Sequence, residues 1–111
     1  MGKHEGTLMG AVGLCRKAGK LVMGTEAVCL ALREGKKPCG VLAAGDVSQN
    51  TAKRLRDKCA TYGVPLYFVT ENGETLAAAI GKGAKTAAVA VTDAELWHLV
   101  LSRLEKTEPQ Q

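Results

Sequence analysis

The sequence predicts an α/β chain folded as a three-layer α/β/α sandwich with a mixed sheet of about four strands. Three observations carry that expectation. Short apolar runs of strand length alternate along the chain with amphipathic runs of helical period. One run, Cys39-Gly40-Val41-Leu42-Ala43-Ala44, is apolar on both faces, as a central strand covered from both sides must be. Apolar residues make up 46% of the chain, and Ala, Val and Leu supply much of them. Such small aliphatics let helices approach a sheet closely. The 111 residues fit one domain spanning 1–111, with no internal repeat or linker.

Taken in order, Leu8, Val12 and Cys15 recur at spacings of four and three and predict a helix over 7–18. Arg16 and Lys17 lie near its C-terminus, where cations suit the helix dipole, and Gly19 stops it. Residues 21–23 have room only for a brief strand. A helix over 25–34 buries Val28, Ala31 and Leu32 and ends at Gly35, before the basic turn Lys36-Lys37-Pro38. The 39–44 strand then runs into the loop Gly45-Asp46-Val47. Ser48 caps a helix through Tyr62 with a buried stripe of Ala52, Leu55, Cys59 and Tyr62. Its other face carries Lys53, Arg54, Arg56, Asp57 and Lys58, too widely spread for all to meet one ligand.

Gly63 closes that helix and Pro65 opens a strand over 66–69. A polar turn, 70–73, leads to a small helix with Leu76, Ala79 and Ile80 inside. A last strand over 87–91 precedes Thr92-Asp93-Ala94-Glu95, which reads as a capping box with Thr92 as the cap. The final helix buries Leu96, Trp97, Val100, Leu101 and Leu104, and 106–111 is a polar tail.

Charge gives the first functional direction. The net charge is +4, with 11 Lys or Arg against 5 Asp or Glu over residues 1–58 and 4 against 6 beyond them. A basic first half suits an anionic partner. Cys15, Cys29, Cys39 and Cys59 lack both zinc-ligand spacing and a disulfide framework, and they fit a reducing cytoplasm. No apolar run reaches the length of a membrane span, and the polar start is no signal peptide.

Nothing assembles into an enzyme. His4 and His98 stand apart from any nucleophile motif, and Glu71 and Glu74 read as a solvated pair. Gly81-Lys82-Gly83-Ala84-Lys85-Thr86 lacks phosphate-loop spacing, because it precedes a strand and no Gly stands before Lys85. It remains either a flexible connection or a loop whose backbone approaches a polyanion. No catalytic role, cofactor or metal is expected. The candidate that remains is the stretch 18–28. There a helix starts at Gly24 and Thr25, leaving outward backbone N–H donors suited to a phosphate, with Lys20 across the short strand.

Several segments together resemble one family. They are 16–24 (Arg-Lys-Ala-Gly-Lys-Leu-Val-Met-Gly), Val41-Leu42-Ala43-Ala44, Asp57-Lys58-Cys59, Tyr62-Gly63-Val64-Pro65 and Ala79-Ile80-Gly81-Lys82. The chain resembles the kink-turn-binding ribosomal-protein superfamily named for L-seven-Ae and L-thirty-e, and within it the small bacterial YlxQ-like members. The resemblance implies an α/β/α sandwich without enzyme activity that grips structured, ribosomal RNA, with ribosomal proteins as further partners. It carries the grip onto Gly24, Thr25, Glu26 and Ala27, onto the loop with Asp46 and Val47, and onto the loop with Lys82, Ala84, Lys85 and Thr86. Lys20, Lys82 and Lys85 would supply charge, and Val47 and Ala84 apolar contact with an extruded base. Archaeal members carry an Asn-Glu pair and two lysines at this helix start. Here Glu26 and Ala27 replace the pair, and Met23 and Leu30 replace the lysines. The alternative on the same fold is a protein-interaction module that has lost RNA binding, docking through Met23, Ala27 and Leu30.

Overall fold

Local capping chemistry sets where the helices begin. The Thr7 hydroxyl accepts from the Gly10 N–H at 3.1 Å and starts α1 (Leu8–Lys17). Ser48 and Asn72 do the same for α3 (Gln49–Tyr62) and α4 (Gly73–Ala79), accepting from Thr51 at 3.2 Å and Thr75 at 2.8 Å. Between them lie β1 (Leu21–Met23), α2 (Thr25–Arg33), β2 (Gly40–Ala43) and β3 (Leu66–Phe68); β4 (Ala88–Val91) and α5 (Ala94–Thr107) complete the order. The computed structural model describes residues 7–35 and 38–107. The expectations for His4, for Lys36-Lys37 and for the tail past residue 107 lie outside them.

The strands form one mixed sheet in the order β1-β4-β2-β3. β4 runs antiparallel to both β1 and β2, and β2 runs parallel to β3. Every residue of β2 and β4 is buried. Because successive strand residues face opposite sides, the sheet has two unlike faces. Leu42, Ala44, Val89 and Val91 pack with α1, α4 and α5, whereas Val41, Ala43, Ala88 and Ala90 pack with α2 and α3. The expected three-layer architecture is the observed one.

Gly40 decides how closely α5 approaches. A methyl group at this position would overlap the Trp97 indole at Cζ2, so the bare backbone is what lets the ring lie on the strand. Trp97 is nearly buried there, and Tyr67 of the edge strand stands 6.0 Å from it, ring centre to ring centre, at 49°.

The structure corrects details of the sequence reading. Tyr62 is exposed, not part of the α3 stripe. The chain reverses at Gly63, and Val64 and Leu66 fill the space against the α2–α3 cluster instead. Asp93, not Thr92, caps α5: its carboxylate accepts from the Leu96 N–H at 3.0 Å, and its carbonyl accepts from Trp97. Thr92 is drawn into the sheet, donating its N–H to Lys20 O at 3.0 Å, so the helix starts one residue later. Ala79, Leu96 and Leu101 are only partly buried, and α5 runs on through Lys106 and Thr107.

Gly40→Ala is expected to destabilise the protein by about 1–3 kcal/mol, the range for overfilling a packed core. In a Trp97→Leu background the same change should cost clearly less, because the overlapping ring is gone. Urea unfolding of the four variants measures this; an additive result would show that the indole is not what Gly40 accommodates.

Candidate nucleic-acid interface

Strand pairing brings four connections to one end of the sheet. The registers place Met23 beside Val89, and Ala43 beside both Ala88 and Phe68. Just past these ends, Gly24 N–H donates to Ala88 O and Ala44 N–H to Ala87 O, both at 2.8 Å. Gly45 N–H donates to Glu71 O at 2.8 Å. The start of α2, loop 45–48 and loop 81–86 therefore share one face of the molecule.

Asp46 ties this face together. One carboxylate oxygen accepts from the Gly73 N–H at 2.9 Å, and the other lies 3.4 Å from Lys85 Nζ. Gly73 O in turn accepts from the Thr86 N–H at 3.1 Å. The Gly73 amide is the main reason that the Asp46 carboxyl is held below the ordinary aspartate range; partial desolvation opposes it, and Lys85 adds to the lowering. Lys85 is thus part of the clamp. Thr86 is buried, its hydroxyl turned to Ala84 O at 3.4 Å, so its side chain does not face outward as a ligand contact would. Lys82 and Ala84 are exposed and Val47 is half-buried.

At α2 the cap residue Gly24 has φ 98°, a backbone shape that L side chains rarely adopt, and no side chain caps the helix. The expectation that the Gly24 amide is a free donor is corrected, because Ala88 O takes it. In the first turn of α2, the amides of Thr25, Glu26 and Ala27 have no partner among the described residues. Lys20 is not brought to them. It stands at the far end of β1, where its carbonyl accepts from Thr92, and four residues of extended chain place it about 13 Å from Gly24.

Glu26 has a partner that sequence spacing does not reveal. Its two carboxylate oxygens accept from Arg54 Nη1 at 2.6 Å and Nη2 at 3.0 Å, joining the start of α2 to α3. The Arg54 hydrogen bonds, and then its charge, hold the Glu26 carboxyl below the usual glutamate range, and Glu26 raises the Arg54 guanidinium. Both side chains are well exposed, so the pair adds little to stability. Its consequence is positional: a guanidinium sits beside the amide row. The other basic residues of α3 split apart, with Lys53 paired to Asp57 at 3.0 Å. Of the apolar trio Met23, Ala27 and Leu30, Met23 packs against the core, and only the other two are exposed.

The profile of the ribosomal protein L7Ae/L30e/S12e/Gadd45 family matches residues 7–100. The chain belongs to this family. The RNA-binding protein YlxQ of Bacillus subtilis is 38% identical over 94 residues, which are 85% of this chain and 91% of that protein. YlxQ of Enterococcus faecium is 36% identical over 77 residues, 69% and 73% of the two chains. Among solved structures, a protein of unknown function from Bacillus halodurans C superposes with a TM-score of 0.79 at 28% identity, covering 88% of this chain and 96% of that one. The Giardia lamblia 15.5kD RNA binding protein superposes with a TM-score of 0.73 at 20% identity over 91% and 84%, a likeness of fold. The L7Ae-like fold and the YlxQ-like membership are thereby established. No helix among the described residues is long and apolar enough to cross a membrane.

A lowered carboxyl pKa means that the unfolded chain takes up its proton first as pH falls. The Asp46 contribution to stability is therefore complete above the unfolded value, near 3.9, and fades as pH drops through the lower folded value. Carbon-detected NMR titration should place Asp46 below ordinary aspartates. Lys85→Ala should raise it only part of the way, since the Gly73 amide remains. Full return to the ordinary value in that variant would assign the lowering to Lys85 instead.

Proposed function

We propose that this chain is a non-catalytic RNA-binding protein of the cytoplasm that holds structured, kink-turn-like ribosomal RNA at the start of α2 and the two loops beside it. The observation that carries the reading is the unpartnered amide row at Thr25, Glu26 and Ala27, set beside loops fastened by Asp46. Aligned peptide dipoles give such a row a partial positive charge, and its N–H groups fit phosphate oxygens. The curated relatives named as RNA-binding proteins support the same reading.

The residues then take distinct roles. Lys82 adds charge from the opposite loop, without an ion pair among the described residues. Val47 and Ala84 offer apolar contact to a base turned out of its helix, the kind of distorted site by which RNA is read. Glu26, acceptor-only when ionised, suits a base amino group. Standing alone it would also repel phosphate; the Arg54 guanidinium cancels that charge. The pair thus lets a carboxylate read bases at a phosphate-binding helix start.

Gel-shift titration with a kink-turn RNA, a duplex of equal length and a single strand tests the reading. Preference for the kink-turn that survives moderate salt is expected; equal, weak, fully salt-titratable binding to all three would refute it.

Charge reversal separates the two ends of the sheet. Lys82→Glu is expected to weaken kink-turn binding roughly 10-fold or more, and Lys20→Glu by less than about 3-fold. Arg54→Ala is expected to weaken it about 3- to 10-fold by unmasking Glu26, and adding Glu26→Gln should recover most of that loss. Equal losses in the single and double variants would mean that Arg54 does not act through Glu26.

A further inference from the structure

The helix α3 and the edge strand β3 form an open groove of about 790 Å³ that begins at loop 45–48 and runs away from the amide row. Phe68, Val47, Gln49, Asn50 and Arg56 line it, with the Lys53–Asp57 pair at its side. Phe68 belongs to a strand at the sheet edge, and the residue is 38% exposed. Over that ring stands the exposed Arg56 guanidinium, with Cζ 5.3 Å from the ring centre.

We infer that this groove is a second RNA subsite, which takes one unpaired nucleotide by stacking its base on the outer face of the Arg56 guanidinium, braced from below by Phe68. The cation–π contact restrains a side chain that would otherwise sample many rotamers, so a planar, charged platform is ready before the nucleotide arrives. Guanidinium planes and aromatic rings are the surfaces on which unpaired bases stack. Gln49 and Asn50 carry amides that donate and accept, matching the edge of any base. Lys53 is paired with Asp57, but both are widely exposed, and a phosphate competes for such a cation at little cost.

Position argues for RNA as the occupant. Val47 belongs both to this groove and to the loop beside the amide row, so a strand leaving that row continues into the groove without crossing the molecule. The subsite rests on the RNA-binding reading, yet it predicts something that reading does not: affinity for an unpaired base as such.

Fluorescence anisotropy with labelled pentaadenylate and an abasic ribose-phosphate pentamer of equal charge tests it. The intact chain is expected to prefer pentaadenylate roughly 10-fold, in line with one stacked base. Arg56→Lys keeps the charge but loses the plane, and it should bring the two affinities within about 2-fold of each other. Phe68→Leu, which removes the brace, should lower the preference to an intermediate value; thermal unfolding checks that the variant is folded. Equal binding of both pentamers by the intact chain, or an undiminished preference in Arg56→Lys, overturns the subsite. So does pentaglutamate binding as tightly as pentaadenylate, which would make the groove a general anion surface. The kink-turn titration separates the two readings: kink-turn recognition without a base preference here removes the subsite alone, and the converse removes only the kink-turn assignment.

Discussion

The antiparallel ladder between β2 and β4 is the constraint on which the rest of the molecule depends. Its register, Gly40 beside Val91 through Ala43 beside Ala88, fixes which loop ends meet. Both strands are buried on both faces, and a slip by one residue would turn every side chain to the opposite layer. A slip of β4 would carry Val89 and Val91 out of the α1–α4–α5 cluster to the α2–α3 side, where Ala88 and Ala90 belong. The two faces differ in side-chain size, so the register has one good solution. The candidate RNA face follows from it, because the bond from Ala44 to Ala87 continues this ladder and the bond from Gly24 to Ala88 continues the pairing of β1 on the other side of β4.

Acidic residues perform two different tasks on that basic face. Asp46 joins three segments through the Gly73 amide and Lys85. Glu26 instead engages Arg54 across two helices. The distinction bears on charge. Lys85 is engaged by Asp46 and Arg54 by Glu26, so of these elements the α2 amide row and Lys82 are left with uncompensated positive charge among the described residues. Exposed pairs exchange partners readily, and the Glu26–Arg54 pair can rearrange around a ligand without loss of fold.

A small number of aromatics are placed where they matter. Trp97 covers a glycine in the buried sheet, and Tyr67 leans toward it from the edge strand. Phe68, one residue on, faces the other layer and meets Arg56. Strand alternation alone sends these neighbours to opposite sides, one toward the core helix α5 and the other toward the groove on α3.

Much of the fold was legible in the residues themselves, because local chemistry governs it. Thr7, Ser48 and Asn72 mark helix starts by accepting from nearby amides, and the unbroken apolar run at 39–44 marks a strand covered on both sides. Tyr62 and Thr92 escaped that logic, since each depends on a distant segment: Val64 and Leu66 refill the space left by Tyr62, and Lys20 O claims Thr92. The site divides in the same way. Sequence located the open start of α2 and the two loops. Only the tertiary structure tied the Lys20 carbonyl to Thr92, closed off the Gly24 amide, turned Thr86 inward, and set Arg54 against Glu26 and Arg56 against Phe68. Periodicity and capping act over three or four residues, but partners 28 apart, as in the Glu26–Arg54 pair, meet only when packed helices bring them together.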